Sequence, residues 1–270
     1  MTTRKVKGHD PIGVFDSGVG GLSVLLELKK LMPKERFIFL ADQAFVPYGE
    51  KATKQLQGRA GKIMRFFVNN GAKLVVVACN TATCYAIKYL RTNFSVPIVG
   101  TEPAIKPAAK VTKSGIIGLI ATPATAKSKT VTELIKRFAG NIKVLRVGCA
   151  GLEDAVEKGG WQSRQIKPLL ERYLASIKNS GADQIVLGCT HYPFLKSQIR
   201  GYLGKNVSLV DGNLAIAKQA RRILNTGGIR LRANAVGTVK YLTTGNPAKF
   251  QRVATMLMKK PIRASQIKLS

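Results

Sequence analysis

Short apolar runs rich in β-branched residues alternate along the chain with longer stretches whose apolar positions recur at helical spacing. Ile12–Phe15, Phe37–Leu40, Leu74–Ala78, Pro97–Gly100, Ile116–Ile120, Lys143–Val147, Gln184–Gly188, Val207–Val210 and Thr238–Thr243 predict strands. Between them, Gly21–Leu31, Lys54–Asn69, Thr81–Thr92, Thr125–Phe138, Ser163–Ser180 and Leu214–Leu224 predict helices. Strands that are apolar throughout are covered on both faces, so the pattern predicts an α/β fold of largely parallel sheets flanked by helices. In such folds ligands gather beyond the C-terminal ends of the strands. Apolar runs such as Leu74–Cys79 and Gly115–Ala121 are far shorter than the roughly 20 residues of a membrane-spanning helix. Met1–Asp10 and Pro261–Ser270, basic and aperiodic, predict poorly ordered tails.

The pattern also echoes itself. Leu74-Val-Val-Val-Ala-Cys79-Asn80-Thr81 and Gln184-Ile-Val-Leu-Gly-Cys189-Thr190-His191 are both apolar strands ending in a small residue and then a cysteine followed by polar residues. The two cysteines are 110 positions apart, about the length of one domain. This predicts two similar α/β units, each placing a thiol at a strand's C-terminal end. No low-complexity stretch or long linker separates them.

Composition adds a question about partners. Of 270 residues, 44 are Lys or Arg and 14 are Asp or Glu, a formal net charge of +30. The hydrophobic share of 45% supports a substantial core and argues against disorder of the whole chain. Such basicity invites a nucleic-acid reading through phosphate neutralisation, and equally a soluble enzyme with a basic surface. Four cysteines, Cys79, Cys84, Cys149 and Cys189, are too few and too unevenly spaced for a disulfide framework or a zinc site, so no metal is expected. Met1–Pro11 is basic and polar, and the apolar run after it is cut by Asp16, so no secretory signal is read. The expected compartment is a reducing cytoplasm, with no membrane partner.

The chemistry-bearing segments follow strands. Asp16-Ser17-Gly18-Val19-Gly20-Gly21 is a glycine-rich strand-to-helix turn suited to a carboxylate or phosphate. It lacks the third glycine of a dinucleotide fingerprint and the Gly-Lys-Ser/Thr of a P-loop; taken alone, it reads as a turn capped by Asp16 or Ser17. Cys79-Asn80-Thr81 ends a strand and opens a helix, where a thiol can become reactive, although burial as a small hydrophobe is commoner for a single cysteine. Cys84 and Cys149 read as inert packing. Cys189-Thr190-His191 adds one of only two histidines in the chain, placed to polarise the thiol or donate to a carboxylate, or to sit satisfied in the core. Asp42 and Pro47-Tyr48-Gly49 follow the second strand as loop contacts or a turn. Glu102 follows the fourth strand, at a site or at a helix start. Glu157 falls at a predicted helix end, where an exposed surface glutamate is the default.

Together these segments resemble the glutamate racemases of the aspartate/glutamate racemase superfamily. The anchors are Gly13-Val14-Phe15-Asp16-Ser17-Gly18-Val19-Gly20-Gly21, Val46-Pro47-Tyr48-Gly49, Ala78-Cys79-Asn80-Thr81-Ala82 and Gly188-Cys189-Thr190-His191-Tyr192-Pro193. Thr-His-Tyr-Pro after the second cysteine points to the glutamate branch rather than the aspartate branch. The resemblance implies cofactor-independent racemisation of L- and D-glutamate by two cysteines, supplying D-glutamate for peptidoglycan. Cys79 would deprotonate D-glutamate and Cys189 L-glutamate, helped by Asp16 and His191, with Glu157 as a further site carboxylate. Asp16, Ser17, Tyr48, Gly49, Asn80, Thr81, Thr190 and His191 would bind substrate. It further implies two pseudo-symmetric domains facing each other across the active site, residues 1–98 with 212–270 and residues 99–211, and leaves a homodimer open.

The chain departs from that pattern in its basicity, in Cys84, in Phe45, and in Gly148-Cys149-Ala150-Gly151, which lacks the expected Cys-Pro. Two rival functions stay in view: nucleic-acid binding on a racemase scaffold, and racemisation of aspartate. Acids are scarce, yet Asp16, Asp42, Glu102 and Glu157 fall in motif segments, whereas Lys29-Lys30, Arg221-Arg222 and Lys259-Lys260 lie on predicted helices and tails. The charge therefore reads as a surface property that steers anionic glutamate and gives salt-sensitive, non-specific polyanion binding.

Overall fold

A computed structural model describes residues 8–164, 166–227 and 236–269. The chain divides into two compact units, one running to Thr101 and resuming at Asn213, the other spanning Glu102–Gly212.

The first unit holds a six-stranded sheet. Its strands are β1 (Ile12–Asp16), β2 (Phe37–Ala41), β3 (Leu74–Val77), β4 (Ile98–Gly100), β9 (Val239–Thr243) and β10 (Ala264–Gln266), in the order β10-β9-β2-β1-β3-β4. Every pairing is parallel, with Ile12 beside both Phe37 and Leu74. β1, β2 and β3 are buried at every position, as all-apolar strands covered on both faces must be. The helices of this unit are α1 (Leu22–Leu31), α2 (Thr53–Asn69), α3 (Asn80–Asn93), α10 (Asn213–Thr226) and α11 (Pro247–Met258). α2 and α3 pack together and bury Leu56, Ile63, Met64, Phe67 and Leu90 against Phe15, Val75 and Val77.

The second unit holds β5 (Ile116–Ala121), β6 (Lys143–Gly148), β7 (Gln184–Leu187) and β8 (Ser208–Val210), all parallel, in the order β6-β5-β7-β8. Around them lie α4 (Ile105–Val111), α5 (Pro123–Lys127), α6 (Lys129–Phe138), α7 (Leu152–Glu157), α8 (Ile166–Lys178) and α9 (Lys196–Leu203). Ile117, Leu119, Val131 and Val186 sit in its core. Its strand order, second-first-third-fourth, repeats that of β2-β1-β3-β4, so the sequence echo is an echo of topology. In both units the cysteine follows the third strand, beside the first. Among the described residues no helix is long and apolar enough to cross a membrane.

Three expectations are corrected. The segment from Pro261 is no loose tail: Ile262 is buried, Ala264–Gln266 pairs with β9, and Ile267 and Leu269 pack on the core. The strand is short and its side chains are mostly polar and exposed, so it leaves no apolar run. At the other end, Lys73 Nζ binds the Gly8 carbonyl at 2.8 Å and Asp10 is buried, so Gly8–Asp10 is held in place; Met1–Lys7 lie outside the described residues. The helix expected over Thr125–Phe138 is two helices, α5 and α6. Ser128 leaves helical geometry (φ −64°, ψ 148°) and its side chain caps α6 by accepting from Val131 N.

Candidate active site

In the first unit the C-terminal ends of β1 and β3 bring three predicted residues together. Asp16 is fully buried, and its Oδ1 accepts from Gly18 N at 3.0 Å and from Ser17 Oγ at 3.5 Å. Gly21 permits this tight turn: a Cβ there would lie 2.5 Å from Asp16 Cβ. Cys79 is the N-cap of α3. Its Sγ accepts from Ala82 N at 3.4 Å and lies 3.7 Å from Ser17 Oγ. The thiol therefore sits at a helix N-terminus, where backbone N–H groups favour negative charge. Asn80 and Thr81 are buried beside it, and Asn80 Oδ1 is shut off from solvent with no hydrogen-bond partner among the described residues. Such an acceptor is costly unless something else satisfies it.

Asp42, at the end of β2, is a buried hub rather than a simple turn residue. It accepts from Tyr48 Oη at 2.6 Å, from Thr244 Oγ1 at 2.8 Å and from both arms of the Arg59 guanidinium at 2.5 and 2.8 Å. Arg59 also lies over the Phe45 ring. This cluster fixes Tyr48 in the unit's core while Gly49 remains exposed. Sequence reading missed Arg59 and Thr244, because no local motif links an Asp at a strand end to a residue on the next helix or 202 positions away.

In the second unit, Cys189 follows β7 as Cys79 follows β3. Its Sγ lies 3.5 Å from His191 Nδ1, and His191 Nε2 lies 2.7 Å from Glu157 Oε1. Glu157 is half-buried in this pair, so it is not the fully exposed glutamate that its position alone suggested but a partner of His191. Burial works against a charged His191, but the Cys189 sulfur and the Glu157 carboxylate hold the imidazole well above its ordinary range. In its charged form the ring presents one N–H to the sulfur and one to the carboxylate. Burial pushes the Cys189 thiol up, and the neighbouring His191 offsets part of that rise. Thr190 is buried between them in sequence. Cys149 is buried and its thiol is pushed up to about 12, chiefly by burial, which fits an inert role. Cys84 is half-buried on α3, and Glu102 is exposed.

Glu153, one turn before Glu157 on α7, was not singled out from the sequence. The four-residue spacing of two glutamates on one short helix was the available signal.

The sequence and fold are shared with known proteins. Residues 21–220 match the family model described as Asp/Glu/Hydantoin racemase. The chain is 43% identical over 247 residues to a glutamate racemase of Herpetosiphon aurantiacus, covering 92% of this chain and 97% of that one. The glutamate racemase isoform RacE1 of Bacillus anthracis superposes with a TM-score of 0.87 at 31% identity, covering 97% and 98% of the two chains. The Escherichia coli glutamate racemase, solved with L-glutamate and the activator UDP-MurNAc-Ala, superposes with a TM-score of 0.83 at 32% identity over 95% and 97%. The chain belongs to the Asp/Glu/hydantoin racemase family and groups with its glutamate racemases: it is an amino-acid racemase, an isomerase.

Proposed function

We propose that the protein interconverts L- and D-glutamate by a two-base mechanism without a cofactor, Cys79 serving D-glutamate and Cys189 serving L-glutamate. The observation that carries this reading is the repeated placement of a buried thiol after the third strand of each unit, Cys79 within 3.7 Å of the Ser17 hydroxyl that reaches Asp16 and Cys189 within 3.5 Å of His191. Removing the α-proton from one face and returning a proton to the other needs two bases, or one that crosses the substrate. With two, a thiolate Cys79 takes the proton of D-glutamate while the Cys189 thiol gives one to the opposite face. Turnover then leaves Cys79 as thiol and Cys189 as thiolate, ready for L-glutamate.

The α-proton is weakly acidic, so the developing carbanion needs donors already in place. The side chains of Ser17, Asn80, Thr81 and Thr190 and the exposed backbone of Gly49 supply them, with Tyr48 held by Asp42 to fix that loop. Asp16 helps Cys79, and the His191–Glu157 pair helps Cys189. Glutamate as substrate is supported by the relatives, one of which is solved with L-glutamate. The product would enter peptidoglycan synthesis in the cytoplasm, where the four free thiols stay reduced.

The test is incubation of L-glutamate with the purified protein in deuterated water. The expected product is D-glutamate carrying deuterium at Cα, with L-aspartate turned over far more slowly. Well-folded protein that yields neither D-glutamate nor Cα deuterium would overturn the proposal.

A further inference from the structure

The chain has 14 acidic residues, and three of them, Glu153, Asp154 and Glu157, stand on the six-residue helix α7. Asp154 is exposed and pairs with Lys158. Glu153 and Glu157, four residues apart, share a helix face. α7 packs against the 3-10 turn Tyr192–Leu195 that His191 opens, and Glu157 uses that contact to reach the imidazole. Glu153 belongs to the same surface but behaves differently. Its Oε2 is shut off from solvent and has no hydrogen-bond partner among the described residues. A desolvated carboxylate oxygen without a donor acts on its neighbours as a charge, and at short range in a poorly polarisable interior that charge is felt strongly.

We propose that Glu153 is a second positioning carboxylate for the Cys189–His191 pair, working by charge where Glu157 works by hydrogen bond. This rests on the racemase reading above. The charged and titratable groups that interact with it are His191 and Tyr192 at the 3-10 turn, Cys189 after β7, Cys149 after β6, and Asp154 on its own helix. Of these, His191 is the group of opposite charge. Burial lifts the Glu153 carboxyl above its ordinary range, while His191 pulls it back toward ionisation. By reciprocity an ionised Glu153 favours the imidazolium and disfavours the Cys189 thiolate. Two carboxylates thus keep His191 charged, and the second also keeps Cys189 protonated, the form needed to deliver a proton when D-glutamate is the substrate.

The chain contains only two histidines, His9 and His191, so imidazole resonances of histidine-labelled protein read the pair directly. H9Q assigns the remaining signal. In E153Q the His191 titration midpoint should fall by roughly one pH unit, the low end expected for losing a close opposite charge. E153D, which keeps the charge, should restore most of it. The pH profile of kcat for D-glutamate should move in the same direction in E153Q and not in E153D. A merely structural role would lower stability or rate without moving the midpoint. An unchanged His191 titration in folded E153Q overturns the proposal. If wild-type protein fails to racemise glutamate, the resonance titration still reports on Glu153, so the two failures are distinguishable.

Discussion

His191 Nε2 and Glu157 Oε1 stand 2.7 Å apart although 34 residues separate them in sequence, joining the start of one 3-10 turn to the end of α7. Burial works against a charged imidazole, and the Glu157 carboxylate, joined by Cys189 whenever that sulfur is a thiolate, raises it. A charge-assisted hydrogen bond of this kind contributes about 1.5–3 kcal/mol. Glu157→Gln should therefore lower kcat roughly 10–100-fold if the bond is fully used in the transition state. The pair also couples stability to pH. Because the folded pKa of His191 is raised, its stabilising contribution is complete below about pH 6.5, the unfolded value, and is lost as pH rises through the folded value. Urea unfolding should show wild-type protein gaining more stability than Glu157→Gln as pH is lowered into that window. Parallel pH dependences in the two proteins would contradict the assignment.

The two thiols should separate by reaction rather than by overall activity. Cys79→Ala and Cys189→Ala should each lower racemisation by at least about 10²–10⁴-fold, the usual worth of a positioned acid or base. Each variant should still take the α-proton from the enantiomer served by its remaining cysteine. A β-chloro amino acid makes that step visible, because the carbanion expels chloride irreversibly. Cys189→Ala should eliminate chloride from the D-enantiomer and Cys79→Ala from the L-enantiomer. Cys84→Ala should racemise glutamate within a factor of about two of wild type, since a half-buried helix cysteine takes no part in proton transfer. Loss of racemisation in Cys84→Ala, or elimination with the opposite handedness, would contradict the assignment.

The Asp42 cluster should set stability and, through the Tyr48–Gly49 loop of the proposed site, substrate affinity. Asp42 is fully buried and receives Arg59, Tyr48 and Thr244. Removing one partner of a buried pair costs about 3–5 kcal/mol. Asp42→Asn should therefore lower Tm by about 6–20 °C at the scale of a chain this size. Where enough folded protein remains, KM for glutamate should rise more than kcat falls, because the cluster holds the Tyr48–Gly49 loop and touches no reacting atom in the proposed scheme. Thermal unfolding and steady-state kinetics on the same sample check both halves.

The nine expected strands are present within a residue or so at either end; β1, β2, β3 and β7, buried at every position, write themselves as apolar runs, and the less buried β6 and β8 were marked by their β-branched and leucine residues. β10 escaped because Ala264–Gln266 is a short edge strand with exposed polar side chains, whose hydrogen bonds to β9 leave no apolar signature. α5 and α6 merged in sequence because one periodicity spans both, while the break rests on Ser128 alone. At the site, Asp16, Ser17 and Cys79 were legible since one strand-to-helix turn sets each of them. The partners of Asp42 and the pairing of Glu157 with His191 were not, because they depend on long-range packing that brings α2, the end of β9 and α7 to residues far away in sequence. Lys73 illustrates the same limit: read as surface charge by composition, it is fully buried and paired with Glu35 at 2.6 Å.

The remaining cationic excess should act on encounter rather than on chemistry. Arg221, Arg222, Lys259 and Lys260 are exposed, and half-buried Lys29 beside Lys260 has its pKa pushed down to about 8 by burial and by that neighbour. A field of this sign attracts anionic glutamate from beyond contact distance, and salt removes it once the screening length falls to ~10 Å near 0.1 M. kcat/KM for glutamate should fall a few-fold as sodium chloride rises from about 20 mM to about 500 mM, with kcat nearly constant. The same surface should retain the protein on heparin or duplex DNA at low salt and release it by about 0.5 M, with log affinity linear in log salt. Raising pH from 7 to 9 should weaken retention slightly as Lys29 discharges. Retention that persists at high salt and favours one nucleic-acid sequence would instead require a built recognition surface, and would restore nucleic-acid binding as a second function beside racemisation.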